Sequence, residues 1–240
     1  MAKNIITGRF TRFTFGSVLL LCVLSKVFQI FYMISASDIM ASEAFVMLCR
    51  IGFELFGLGA VAMTVVACVY SYSYFGIKTA LKVSGLLLLG LTSGKILMFV
   101  YNICVNSLTA GKLLAGVISY LIEILFDALI IAVSIVLSMI FAKARVKHQN
   151  GWTPLAASFT SLGIYFIILI ADLTFMNVIP FLVSYSDPTS SEIKTIISDY
   201  LYYLVSIPFA MLLAMLFYFL ITKVTGKLKL KEHYKRHEIV

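Results

Sequence analysis

The chain has 240 residues, of which 61% are hydrophobic and 12% charged, with a mean hydropathy of +1.02. Soluble domains carry roughly 25% charged residues, so a water-soluble globule is excluded. The formal charge of +8 does not point to nucleic acid, because the basic residues fall in short connectors between apolar runs and in the C-terminal tail.

Apolar runs cover 13–35, 44–70, 83–103, 113–141, 155–182 and 196–222, each long enough to cross a hydrocarbon core of ~30 Å as a helix. Lipid offers backbone groups no partners, and the alternating pattern of a membrane barrel is absent. The expectation is an all-α integral membrane protein with six transmembrane helices, one polytopic domain over 1–240, short loops and a basic tail over 223–240.

The first span follows Lys3, Arg9 and Arg12. Its apolar region is longer than the 7–15 residues of a secretory signal and contains Lys26, so it reads as a retained helix. Gln29 lies one turn from Lys26 and extends a hydrogen-bonding face. The second span places Arg50 and Glu54 at i and i+4, where they can neutralise each other. It also carries a small-residue face, Gly57, Gly59, Ala60 and Ala62, suited to close packing.

Lys95 sits in the third span. On the fourth, Glu123 and Asp127 share one face, so one of these like charges must be protonated or met by a cation such as Lys26, Lys95 or Arg50. In the fifth span Asp172 needs a basic partner from another helix. Pro180 and Pro208 each remove a backbone donor from the fifth and sixth spans. Cys22, Cys49, Cys68 and Cys104 form no CxxC pair and read as small buried hydrophobes.

Alternating the segments between two sides decides the orientation. With the N-terminus inside, the inner segments hold fourteen Lys and Arg, including Lys78, Lys82, Lys143, Arg145 and Lys147, whereas the outer loops hold Lys112 and Lys194. The positive-inside asymmetry predicts N-in, C-in, with both termini cytoplasmic in a prokaryotic cell membrane. A weak repeat of helical hairpins accompanies it. Lys26 and Lys95, Glu54 and Glu123, and Lys78 and Lys147 are each separated by 69 residues.

The ionisable residues within the spans, Lys26, Arg50, Glu54, Lys95, Glu123, Asp127 and Asp172, carry the functional information. Each costs about 2.5–3.5 kcal/mol if left facing lipid, so they must face one another or water. Counted from the span midpoints at ~1.5 Å per residue, Asp127 lies near the midplane and the other six lie toward the outside. That predicts a polar chamber biased to the outer side. The expected binding residues are Lys26, Gln29, Arg50, Glu54, Lys95, Glu123, Asp127 and Asp172.

His148, His233 and His237 all fall outside this layer, and no Walker A, HExxH or GxSxG pattern occurs. No catalytic residue, metal centre or cofactor is therefore expected. The leading expectation is a transporter, or the membrane subunit of one, that takes a small polar solute or ion. The alternative is an assembly, immunity or regulatory protein whose charges pair structurally or with a partner membrane subunit. A lipid-modifying enzyme is the third class. Besides such a solute or subunit, the expected partner is the lipid bilayer, with no nucleic acid.

The orientation has a direct test. Single cysteines at Lys78, His148 and His233, in a background without the native cysteines, should label from the cytoplasm, and those at Ser37, Thr109 and Thr189 from outside. External labelling at His148 would overturn the topology.

Overall fold

The computed structural model describes residues 2–37, 42–106, 110–143, 152–175 and 190–226. The described residues form six α-helices: α1 (Ala2–Ser37), α2 (Glu43–Tyr70, continued by a π-helical turn Ser71–Phe75), α3 (Ile77–Asn106), α4 (Ala110–Lys143), α5 (Trp152–Leu173) and α6 (Ser190–Thr225). All six are long and apolar enough to cross a membrane, and there is no strand among the described residues. The multi-pass helical class expected from the apolar runs is therefore present.

Several helices start before their apolar runs, α3 and α6 by six residues each. Helix α1 begins well before residue 13, because the helix continues through the polar residues that precede the apolar stretch. The fifth span is expected to reach 182; α5 runs to Leu173 with a π-helical continuation through Phe175, and the remainder, with Asn177 and Pro180, lies outside the described residues. So do the three histidines and the tail from 227, while of Lys112 and Lys194 only the backbone is described. Helix α6 runs through Pro208.

Helix α2 is the axis of the bundle. It touches each of the other five helices, which close around it in the order α1, α3, α4, α5, α6 and back to α1. In its most apolar stretch 56% of α2 is buried, against 17–39% in the other helices. The sequence cause is size: Gly59, Ala60, Ala62, Thr64, Ala67 and Cys68 let neighbours approach from every side. The outer surfaces of the ring helices carry exposed apolar side chains such as Leu89, Ile96, Leu125 and Leu212, as a lipid-facing surface requires.

Glycines set how closely α1 approaches. A Cβ at Gly94 would lie 3.1 Å from Lys26 Cγ and 3.2 Å from the Cys22 carbonyl, and one at Gly90 would lie 3.3 Å from Val18. Gly90 and Gly94 form a small-xxx-small pair that seats α3 against α1. At Gly52 a Cβ would collide with the Phe28 ring of α1. On the expected α2 face, a Cβ at Gly57 would lie 3.3 Å from Ser25 Oγ, and that hydroxyl donates to the Phe53 carbonyl at 2.9 Å.

At the α2–α3 junction, Gly76 adopts φ 88°, a left-handed conformation that favours glycine. Its amide donates to the Ser71 and Tyr72 carbonyls, closing α2, and its carbonyl accepts from Thr79 and Ala80, opening α3. Several buried hydroxyls are satisfied within their own helices, as where Thr64, Ser134 and Ser158 donate to the carbonyl four residues back. Cys22, Cys49 and Cys68 are buried as expected, whereas Cys104 is exposed on the outer part of α3.

Substitution at two glycines tests this packing. Gly94→Leu should lower stability by about 1–3 kcal/mol, since the added atoms meet α1 backbone as well as side chain. Gly85→Leu, where a Cβ meets nothing within 4 Å, should leave the melting temperature unchanged or raise it. Equal losses in thermal melts would refute the close α1–α3 approach.

Candidate functional site

The bundle has two unlike ends. At the terminal end α1 starts and α6 finishes; at the far end lie the 37–43, 106–110 and 173–190 connections. From Ala62 to Ser71 every α2 residue is buried, and the terminal end is sealed by an aromatic cluster. Tyr70 stacks on Tyr74 at 4.2 Å and on Phe10 at 5.5 Å, and Tyr218 meets its edge at 5.9 Å. The hydroxyls are paired: Tyr70 with Thr225 at 2.7 Å, and Tyr74 with Tyr218 at 3.1 Å. Satisfied in this way, the polar tips remain inside an apolar layer.

In the far half a partly open cavity of about 470 Å³ lies against α2, and all six helices line it. Lys26 comes from α1, Arg50, Phe53 and Glu54 from α2, Lys95 from α3, Asp127 from α4, Tyr165 and Phe166 from α5, and Tyr202, Tyr203 and Ser206 from α6. Exposed Arg50 lies seven residues from the start of α2, ~10 Å from the far end, and the lining reaches inward to Ala60 and Val61. Five residues expected from the sequence are thus brought together: Lys26, Arg50, Glu54, Lys95 and Asp127.

Each charge is handled differently. Lys95 Nζ lies 2.7 Å from Asp127 Oδ2 and 3.7 Å from Glu123 Oε2, and donates to the Glu123 carbonyl at 2.7 Å. Lys95 thereby meets the two like charges of α4. The Lys95 and Asp127 side chains are 14% and 15% exposed, so this is a buried pair, while Glu123 at 46% lies on its open flank.

Lys26 donates to Gln29 Oε1 at 2.9 Å and lies 5.5 Å from the centre of the Phe53 ring, within the ~6 Å range of a cation–π contact. It makes no ion pair with a carboxylate among the described residues. The expected Arg50–Glu54 pairing gives way to another arrangement. Tyr202 Oη of α6 donates to Glu54 Oε2 at 2.8 Å, while Arg50 is exposed and makes no ion pair among the described residues. Asp172 is exposed near the end of α5, outside the cavity lining and likewise without an ion pair among the described residues.

The lining carries three cations and two anions together with several aromatic rings, and Glu123, 3.7 Å from Lys95 on its open flank, adds a third carboxylate beside it. Sequence reasoning missed Tyr165, Tyr202, Tyr203 and Ser206. The signal was present in Tyr202 and Tyr203, polar-tipped rings that lie six and seven residues, ~10 Å, inside the start of the sixth span at 196. Among the described residues there is no group of three or more His, Cys, Asp or Glu able to hold a metal ion. What defines the site is a charged and aromatic solute-sized cavity within a six-helix bundle of the multi-pass membrane class. Comparison of the chain with family models, with curated proteins and with solved structures gives no match.

The buried pair makes a double-mutant cycle informative. Asp127→Asn should cost about 3 kcal/mol, because Lys95 is left buried with the more distant Glu123. Lys95→Met combined with Asp127→Leu should cost clearly less than the sum of the single changes. Additive losses in denaturation melts would sink the pairing.

Proposed function

We propose that this protein binds a small organic anion in the chamber and carries it across the membrane, alone or as the membrane subunit of a transporter. The observation that carries this reading is a cavity built from all six helices that presents two cations, Lys26 and Arg50, to a ligand. Asp127 occupies Lys95, and Tyr202 holds Glu54, whereas Lys26 and Arg50 make no carboxylate ion pair among the described residues. A carboxylate or phosphate entering the chamber pairs with Lys26 and Arg50, and Tyr165, Phe166 and Tyr203 offer apolar and polar surface to the rest of the solute. The one-sided geometry supports transport: the site opens in the far half and is closed from the terminal end by the Tyr70 cluster. With both termini cytoplasmic, as the basic residues predict, the far half faces outward and the protein stands in an outward-facing state.

A second reading rests on Glu123 and Asp172, exposed carboxylates within apolar helices. A partner helix carrying Lys or Arg would cover them, making the chain an assembly or regulatory subunit.

A thermal-shift screen of the purified chain separates the readings. Small organic anions should raise the melting temperature, by about 2.7 kcal/mol of stability at a hundredfold excess over Kd, and matched cations should not. Lys26→Gln with Arg50→Gln should abolish that shift while leaving unliganded stability nearly intact, since no buried ion pair is broken. Stabilisation by cations instead, or an anion shift that survives both substitutions, would overturn the anion site. No shift by any solute, with a second membrane protein co-purifying through Asp172, would favour the subunit reading.

A further inference from the structure

The terminal end holds a second cavity that the chamber does not explain. It is an open cleft of about 1030 Å³ between the first turns of α1 and the start of α3. Arg12, Lys78 and Lys82 line it, and no acidic residue does. Among the described residues the acids, Glu43, Glu54, Glu123, Asp127, Asp172 and, by helix position, Glu192 and Asp199, lie at mid-helix or toward the far end, so none of them cancels the three cations. We propose that this cleft is a binding site for the phosphate headgroup of an anionic phospholipid.

Convergence of two helices distinguishes the cleft from a scatter of surface lysines. Lys78 and Lys82 are i and i+4 on α3, one turn apart on a single face, and Arg12 reaches the same space from α1. Arg12 donates from Nε to the Gly8 carbonyl at 3.3 Å, which holds its stem along α1 and leaves the two Nη groups to a ligand. A guanidinium with two ammonium groups suits the oxygens of a phosphodiester. Gly8 also lines the cleft, and a Cβ there would meet nothing within 4 Å, so space for the headgroup continues to the α1 backbone.

The surroundings select a lipid over a water-borne phosphate. The apolar span of α3 starts at Ile77, and Ile77, Leu81 and Leu86 are exposed beside the basic residues. A headgroup held by Lys78 and Lys82 places its acyl chains along that surface, where a free phosphate gains nothing. The arrangement fixes the depth of α1 and α3 at one membrane face. It does not depend on what the chamber binds.

Native mass spectrometry of the purified full chain, with phosphatidylglycerol or phosphatidylcholine added in detergent, tests the proposal. Phosphatidylglycerol should be retained in preference, and each of Lys78→Gln and Lys82→Gln should weaken it about fivefold. Lys82→Arg should keep it. Gly8→Phe, which fills the cleft without removing a charge, should displace the lipid while the unliganded melting temperature holds. Equal retention of the two lipids, unchanged binding by the Gly8→Phe protein, or full competition by millimolar inorganic phosphate would each overturn it. The last would mark a soluble phosphate site in place of a lipid one.

Discussion

An ionised side chain costs several kcal/mol in hydrocarbon unless something answers it, and this chain places seven such side chains within its apolar spans. The arrangement of the bundle follows from how they are answered. Lys95 meets Asp127 directly and Glu123 at longer range, joining α3 to α4. Glu54 draws Tyr202 from α6, and Lys26 leans on Gln29 and the face of Phe53. These side chains reach a common space because α2, rich in glycine and alanine along this stretch, is narrow enough for five helices to close around it. Small residues serve twice: Gly90, Gly94 and Gly52 bring α1 close, and Gly57 and Ala60 leave room where the cavity lies.

The architecture was legible because it depends on quantities a sequence records directly. The length of an apolar run fixes a span, and a charge inside such a run has few places to go, so five of the eight expected residues line one cavity. The partners were less legible. Arg50 and Glu54 have the spacing of an intrahelical pair, but that rule describes a helix alone, worth about 0.2–0.5 kcal/mol. In the bundle a tyrosine hydroxyl from α6 reaches Glu54 and Arg50 turns outward. Nothing local to α2 announces Tyr202, which is 148 residues away. Asp172 shows the converse case, since the same in-span rule that placed Asp127 correctly offered no way to tell the ring's inner face from its outer one.

The centrality of α2 lay between these limits. Its small-residue face was evident, yet a face implies one partner, and α2 has five. Small residues in fact surround the helix, with Ala62, Ala67 and Cys68 adding to Gly57, Gly59 and Ala60. Reading all sides of the helix, rather than one stripe, would have identified it as the axis.

The contrast between the two ends gives the chamber its meaning. A dry cluster of paired tyrosines is a stable way to close a helical bundle, and its rings are fixed by stacking at 4.2 to 5.9 Å together with hydroxyl pairs to α6. Those pairs join only α2 and α6, so sliding or tilting α6 against α2 breaks two hydrogen bonds and no ion pair. In the chamber the same helices are joined through Tyr202 and Glu54, again by a neutral donor to a carboxylate. The α2–α6 seam thus combines apolar packing with hydroxyl bonds at both ends, whereas the α3–α4 seam carries the buried Lys95–Asp127 pair. Helix α6 also carries Pro208 between its Tyr202 and Tyr218 contacts, so the helix that joins α2 through hydroxyls is the one that lacks a backbone donor in its middle.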